Sequence, residues 1–283
     1  MTIGIVGLGL IGGSLAKALK AYTDTVVWGG DISQNVISAA LDLGVIDGRL
    51  SQNCLSKCDM VVVTLYPAET VEYVKKHARL FKKGAIVMDC CGVKSFVCSA
   101  LKSVAENAQF IFIGAHPMAG AARGGFENSF PELFLNASLI LTPYENTPRK
   151  AVKTVWKLAL KLGFGRLQIV TPERHDEIVS YTSHLCHLLS CAYISSPLAP
   201  EYEGFTAGSF RDMTRIARIN ETMWSELLIE NREHLCREAD EFILRLRELM
   251  ELVRSQDRRG LCRLLRKCRE IKENLDAKQE KSG

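Results

Sequence analysis

Three observations predict an α/β chain. Short apolar runs alternate with amphipathic stretches from residue 3 to about 170, a glycine-rich turn directly follows the first run, and the texture turns almost wholly helical after Val170. The expected architecture is a Rossmann-type, doubly wound parallel sheet over residues 1–170, followed by an all-helical domain over residues 171–283. Strand candidates are Ile3–Val6, Thr25–Trp28, Met60–Leu65, Ala85–Asp89, Phe110–Ile113, Ser138–Leu141 and Leu167–Val170. Met60-Val61-Val62-Val63 reads as a strand buried on both faces. Between the strands lie helical segments: Leu10–Ala21, Ser33–Leu43, Ala68–Leu80, Ser95–Ala105 and Arg149–Leu162.

Thr171-Pro172-Glu173 opens the second part as a helix start, with a capping Thr, a first-turn Pro and an acid. The stretch Thr222–Val253 reads helical, with Met223 and Leu227, and then Phe242, Leu246, Leu249 and Val253, spaced by threes and fours and with Glu and Arg between. Leu261, Leu264, Leu265, Cys268 and Ile271 repeat the pattern. Helices this long and two-faced need a surface for their apolar stripe, and a second copy of the chain is the natural one, hence an expected homodimer.

At 283 residues the chain is long enough for two cores, and 47% hydrophobic with 24% charged residues is a globular balance. The net charge of +4 is spread among acids, so neither nucleic acid nor an anionic membrane is an expected partner. No run approaches the roughly 20 apolar residues that span a bilayer. Met1-Thr2 passes straight into a strand, without the pattern of a signal peptide, so the expected location is the cytoplasm. The ten cysteines lack the paired CxxC spacing of structural zinc sites; they read as small core thiols, with no metal expected.

Gly7-Leu8-Gly9-Leu10-Ile11-Gly12 follows the first strand and opens a helix. Its glycines suit a tight turn, a close approach of backbone to pyrophosphate, and close packing of helix on strand. Asp31 ends the second strand, where an acid accepts hydrogen bonds from ribose hydroxyls and repels a 2′-phosphate. No Arg or Lys follows until Arg49, so the expected cofactor is NAD.

Two segments fall beyond carboxyl ends of strands, where such sheets bind ligands: Asp89–Lys94 and His116–Gly120. His116 can take a proton at neutral pH, or simply hydrogen-bond its loop. His184 and His187 share a helix face; zinc would need a third ligand, and one of the two reads as a satisfied core histidine. Arg211 and Arg215 lie one turn apart, with Asp212 able to orient one of them. Two such cations suit a substrate with carboxylates; a solvated basic face is the alternative, less so for Arg215 among apolar neighbours.

Gly7–Ser14, His116-Pro117-Met118-Ala119-Gly120, Ser183-His184-Leu185-Cys186-His187 and Phe210–Ala217 together resemble the prephenate dehydrogenase family, in order and over nearly the whole chain. The resemblance implies oxidative decarboxylation of prephenate on the way to tyrosine, a Rossmann domain and a helical dimerisation domain. It further implies that His116 is the catalytic histidine on the substrate's ring hydroxyl, Arg215 binds a substrate carboxylate, and His187 contacts the side-chain end. Gly208 and Trp224 fall in the implied pocket, Trp224 where it can reach a dimer partner. Two positions depart from the family pattern. Gly92 replaces a frequent serine that helps hold the histidine, leaving a water, a backbone N–H or the Cys91 side chain to take its place. Cys186 replaces a frequent proline.

Arogenate, the amino counterpart of prephenate, is the nearest alternative substrate. Hydroxyacid dehydrogenases with a helical-domain lysine base are disfavoured, because no lysine occurs between Lys161 and Lys267. A non-catalytic NAD-binding regulator would leave His116, the histidine pair and the arginine turn without a role.

Overall fold

The structure, a computed structural model, describes residues 1–280. In chain order the first part runs β1 (Thr2–Val6), α1 (Leu10–Tyr22), β2 (Val26–Gly30), α2 (Gln34–Asp42), β3 (Gly48–Arg49), α3 (Gln52–Leu55), β4 (Met60–Val63) and α4 (Pro67–His77). It continues with β5 (Ile86–Asp89), α5 (Ser95–Ala108), β6 (Ile111–Pro117), β7 (Ser138–Pro143), α6 (Arg149–Lys161) and β8 (Arg166–Ile169). Helices α7 (Pro172–Val179), α8 (Leu185–Ile194), α9 (Gly208–Thr214), α10 (Glu221–Glu230), α11 (Arg232–Arg254) and α12 (Arg258–Glu280) follow. Met1–Arg232 forms one compact unit and the chain from Glu233 a second.

The sheet has eight strands in the order β3-β2-β1-β4-β5-β6-β7-β8. Strand order reverses between β1 and β4, so their carboxyl ends open a crevice. The strands are apolar because helices cover both faces: Ile3, Ile5, Val61 and Val63 are fully buried.

The expected parallel sheet needs one correction, since β7 runs antiparallel to β6. Residues 118–137 contain no α-helix to carry a parallel crossover. They fold instead as short 3₁₀ turns against α1, where Lys17 Nζ donates to Ser129 O at 2.7 Å and Phe130 N to Ser14 Oγ at 3.1 Å. This pairing also lengthens β6 beyond the expected Ile113: His116 pairs with Ile140 and Pro117 with Leu139. His116 is therefore a strand residue, with a firmer backbone than a loop would give it.

The helical stretch Thr222–Val253 is two helices, broken at Asn231, whose backbone leaves helical geometry and whose side chain turns into the interior. Between α7 and α8, Ser180–His184 makes a π-type turn. Nine residues of regular α-helix make two and a half turns, which would put His175 and His184 on opposite faces. The wider turn brings His184 round toward the side of His175. The cysteines also depart from expectation: Cys58, Cys91 and Cys98 are core residues, but Cys186, Cys236, Cys262 and Cys268 are exposed on helix faces directed away from the interior.

Candidate functional site

The glycine turn lies at the carboxyl end of β1 and leads into α1. Gly7 has φ +86°, and Thr64 Oγ1, just beyond β4, donates to its carbonyl at 2.7 Å. A Cβ on Gly12 would come within 1.9 Å of Gly7 O, so only glycine lets the helix approach the strand this closely. At Gly9 a Cβ would meet no protein atom within 4 Å. Open space at that point, beside a 13-residue helix whose first turn has no side-chain cap, fits a pyrophosphate. Leu8 is buried, while Leu10 and Ile11 are half-buried in the first turn of α1.

Asp31 follows β2 and grips this turn: Oδ2 accepts from Leu8 N and Oδ1 from Ser33 N, both at 2.8 Å. Arg49, distant from Asp31 in sequence, pairs in register with Gly29 and donates to Gln34 Oε1 at 3.0 Å. Sheet pairing thus brings a guanidinium to the same edge as Asp31, which linear spacing did not reveal.

His116 is half-buried at the end of β6, with Nδ1 2.9 Å from His175 Nε2. His175 Nδ1 in turn lies 2.7 Å from Asp176 Oδ1. The Asp176 carboxylate also accepts from Lys94 N and Ser95 N, each at 2.8 Å, and so caps the start of α5 from a different helix. Burial alone would raise the Asp176 pKa; hydrogen bonds from His175 and Ser95 outweigh it and hold the carboxyl below the usual range. Burial, followed by the charge of Lys94, lowers His175 despite its bond to Asp176. Burial, then His175, Lys94 and His184, keeps His116 well below the ordinary histidine range, with Asp176 opposing.

Beneath His116 lies a fully buried ion pair between Lys94 and Asp89. Lys94 Nζ also donates to Ala115 O at 2.6 Å, and Asp89 Oδ1 accepts from Ala115 N at 3.1 Å. Burial would lower the Lys94 pKa, but the Asp89 charge overrides it and the net direction is upward. The pair therefore clamps the residue immediately before His116.

Of the two helical-domain histidines, His184 is the buried one. Asn231 Nδ2 donates to its Nδ1 at 3.1 Å and to Asp176 O at 2.8 Å. Burial pushes the His184 pKa down to about 4. His187 is half-buried, donates from Nδ1 to Ser183 O at 2.9 Å, and stacks on Trp224 with ring centroids 3.7 Å apart. Burial lowers its pKa, and the nearby Arg215 charge lowers it further. Trp224 also meets His184 edge-on at 6.0 Å. Contacts thus run from His116 through His175, Asp176, Asn231, His184, Trp224 and His187 to the vicinity of Arg215.

Arg215, expected among apolar neighbours, is exposed; Ile216 and Ala217 are the half-buried members of the 3₁₀ turn it begins. Arg211 and Gly208 are exposed on α9. Gly92 sits against Leu227, whose Cδ atoms would lie 3.2–3.3 Å from an added Cβ. Cys91 turns away from His116, its thiol 3.5 Å from Leu65 O and 3.4 Å from Thr70 Oγ1. The group that holds His116 is therefore His175, which sequence reading passed over together with Asp176. Their only local signal was a polar pair inside a helix start.

A family model described as prephenate dehydrogenase, nucleotide-binding domain, matches residues 15–167, and one described as prephenate dehydrogenase, dimerization domain, matches residues 171–267. The chain belongs to the prephenate dehydrogenase family. Members of this family are dehydrogenases, and this one is an oxidoreductase by kinship. It is 33% identical to a cyclohexadienyl dehydrogenase of Zymomonas mobilis over 90% of its own length and 89% of the relative's. A crystal structure of the A. aeolicus prephenate dehydrogenase, in complex with hydroxyphenyl propionate and NAD+, superposes with TM-score 0.87 at 30% identity, over 97% of this chain and 98% of that one. A Synechocystis arogenate dehydrogenase superposes with TM-score 0.84 at 25% identity, over 97% and 100%.

Proposed function

We propose that the protein catalyses the NAD-dependent oxidative decarboxylation of prephenate to 4-hydroxyphenylpyruvate. The observation that carries this reading is His116, a neutral imidazole held by a buried partner at the carboxyl edge of the sheet that also bears the glycine turn. A base kept unprotonated here is suited to remove a hydroxyl proton. When bound, NAD supplies the acceptor for the electron pair and hydrogen leaving C4 of the substrate. His116 Nε2 accepts the 4-hydroxyl proton. The ring ketone so formed is conjugated to the carbon bearing the carboxylate and takes up the electrons released as CO2 departs, and aromatisation drives this loss.

Gly7, Gly9 and Gly12, with Leu8, Leu10 and Ile11, form the turn that would hold the pyrophosphate, and Asp31 would receive the ribose hydroxyls. Arg215 would bind a substrate carboxylate, with Arg211 as a second cation one turn away. His187 and Trp224 would face the side-chain end, with His184 as their buried support. We place the boundary between the nucleotide half and the helical half at residues 170 and 171, a position supported by the short gap between the two family matches. A homodimer is part of this reading, supported by the description of the second family model and by the exposure of Leu246, Met250, Val253, Leu265 and Ile271 along α11 and α12.

The test is spectrophotometric detection of NADH with prephenate and, separately, arogenate. Turnover of prephenate is expected, and His116→Asn should cost about 10²–10⁴-fold in kcat. Preference for arogenate, favoured by the likeness to the Synechocystis enzyme, would move the assignment to that substrate. NAD binding with no turnover of either would leave a regulator.

A further inference from the structure

The contacts around His116 determine which of its nitrogens carries a proton. A carboxylate can only accept, so the 2.7 Å contact between His175 Nδ1 and Asp176 Oδ1 puts a proton on His175 Nδ1. Burial keeps His175 neutral, and a neutral imidazole has one N–H, so His175 Nε2 is a lone pair. The proton in the 2.9 Å contact between the rings then belongs to His116 Nδ1, leaving His116 Nε2 free. Asp176 is fixed on its other side by two N–H groups at the start of α5 and, through its carbonyl, by Asn231 Nδ2. The ring of His175 has nowhere to turn.

We propose that His175 and Asp176 are positioning residues that set the tautomer and ring plane of His116 and so present Nε2 as the base nitrogen. This rests on the reading of His116 as the base in the reaction above. When the substrate proton reaches Nε2, His116 becomes an imidazolium whose Nδ1–H still donates to His175, and the ionised Asp176 beyond stabilises the added charge without itself taking a proton. The arrangement does for His116 what the family's frequent serine cannot do here, where Gly92 stands. The ionisable groups around His116 are His175 and Asp176 from α7, Lys94 with its partner Asp89 below, and His184 from the π turn.

The test combines two variants with a readout independent of turnover. In ¹⁵N NMR of the histidine rings, wild-type His116 is expected with the proton on Nδ1, and this signature should be lost in His175→Leu. In kinetics, His175→Leu should lower kcat roughly 10- to 100-fold with a much smaller change in KM. It should also move the acid limb of kcat/KM, because the imidazolium loses both its acceptor and the neighbouring ring that holds its pKa down. His175→Gln, whose amide oxygen can accept from His116 Nδ1–H, should recover most of the rate and the pH profile. A His116 proton on Nε2 in the wild type, an unchanged kcat in His175→Leu, or equal losses in the Gln and Leu variants would each overturn the proposal. If His175→Leu does not fold, the wild-type spectrum and the Gln variant still decide. A wild-type chain that turns over neither substrate defeats the proposed reaction, while the NMR tautomer tests the relay separately.

Discussion

Single residues at this site act mainly by satisfying one another's buried polar groups. Lys94 and Asp89 are both fully buried, and between them they bond the N–H and C=O of Ala115, one position before His116. A charged pair in such surroundings adds little net stability, but loss of one member strands the other. Lys94→Met should therefore lower unfolding stability by about 3–5 kcal/mol, read as a reduced midpoint in urea denaturation. A midpoint equal to wild type would mean that Asp89 does not depend on Lys94 as its partner. Gly92 shows the opposite economy of space: a serine there would press on Leu227, so the helix α10 and a side chain at position 92 compete for one volume.

Among the elements, the turn between β1 and α1 separates folding from ligand binding. Gly12 is needed by the protein itself, since a methyl group would strike the Gly7 carbonyl at 1.9 Å. Gly9 faces no protein atom within 4 Å, so its lack of a side chain serves whatever approaches from outside. Gly12→Ala should lower both the melting temperature and NAD affinity. Gly9→Ala should keep the melting temperature yet weaken NAD binding roughly tenfold or more, measured by calorimetric titration. Unchanged affinity in Gly9→Ala would place the dinucleotide elsewhere. The π turn before α8 has a comparable role for the histidines, because a regular helix would leave His184 out of phase with His175.

Across the whole molecule, the buried and half-buried histidines tie stability to pH. His184 is pushed down to about 4, and His116, His175 and His187 are lowered too. Each is neutral in the fold but protonates near pH 6.5 once unfolded, so the unfolded chain binds more protons below that pH. Stability should therefore fall as pH drops through the window from about 6.5 toward 4, with His184 alone accounting for on the order of 3 kcal/mol. Asp176 adds a second loss at lower pH, because its folded carboxyl ionises more readily than the unfolded one and that advantage disappears on protonation. Urea midpoints measured between about pH 7 and pH 5 should decline steadily with little change in slope. A flat profile would mean that these rings stay accessible to protons in the fold. No helix among the described residues is long and apolar enough to cross a membrane.

Much of this protein is readable along the chain because the responsible signals are local. The glycine turn, the all-apolar run Met60–Val63, the capped start at Thr171 and the three- and four-residue rhythm of the long helices each need only neighbours in sequence. His116, His187 and Asp31 stood out for the same reason: residue type beside a recognisable strand end or helix face. The antiparallel β7, the break at Asn231 and the register that pairs Arg49 with Gly29 did not stand out. Nor did His175 and Asp176, whose partners lie 59 and 82 residues away. A buried polar group must find a partner, but its own stretch of chain does not say which one. That choice is made by packing, when α7 docks across the start of α5 and the end of β6 and leaves one imidazole nitrogen without a proton.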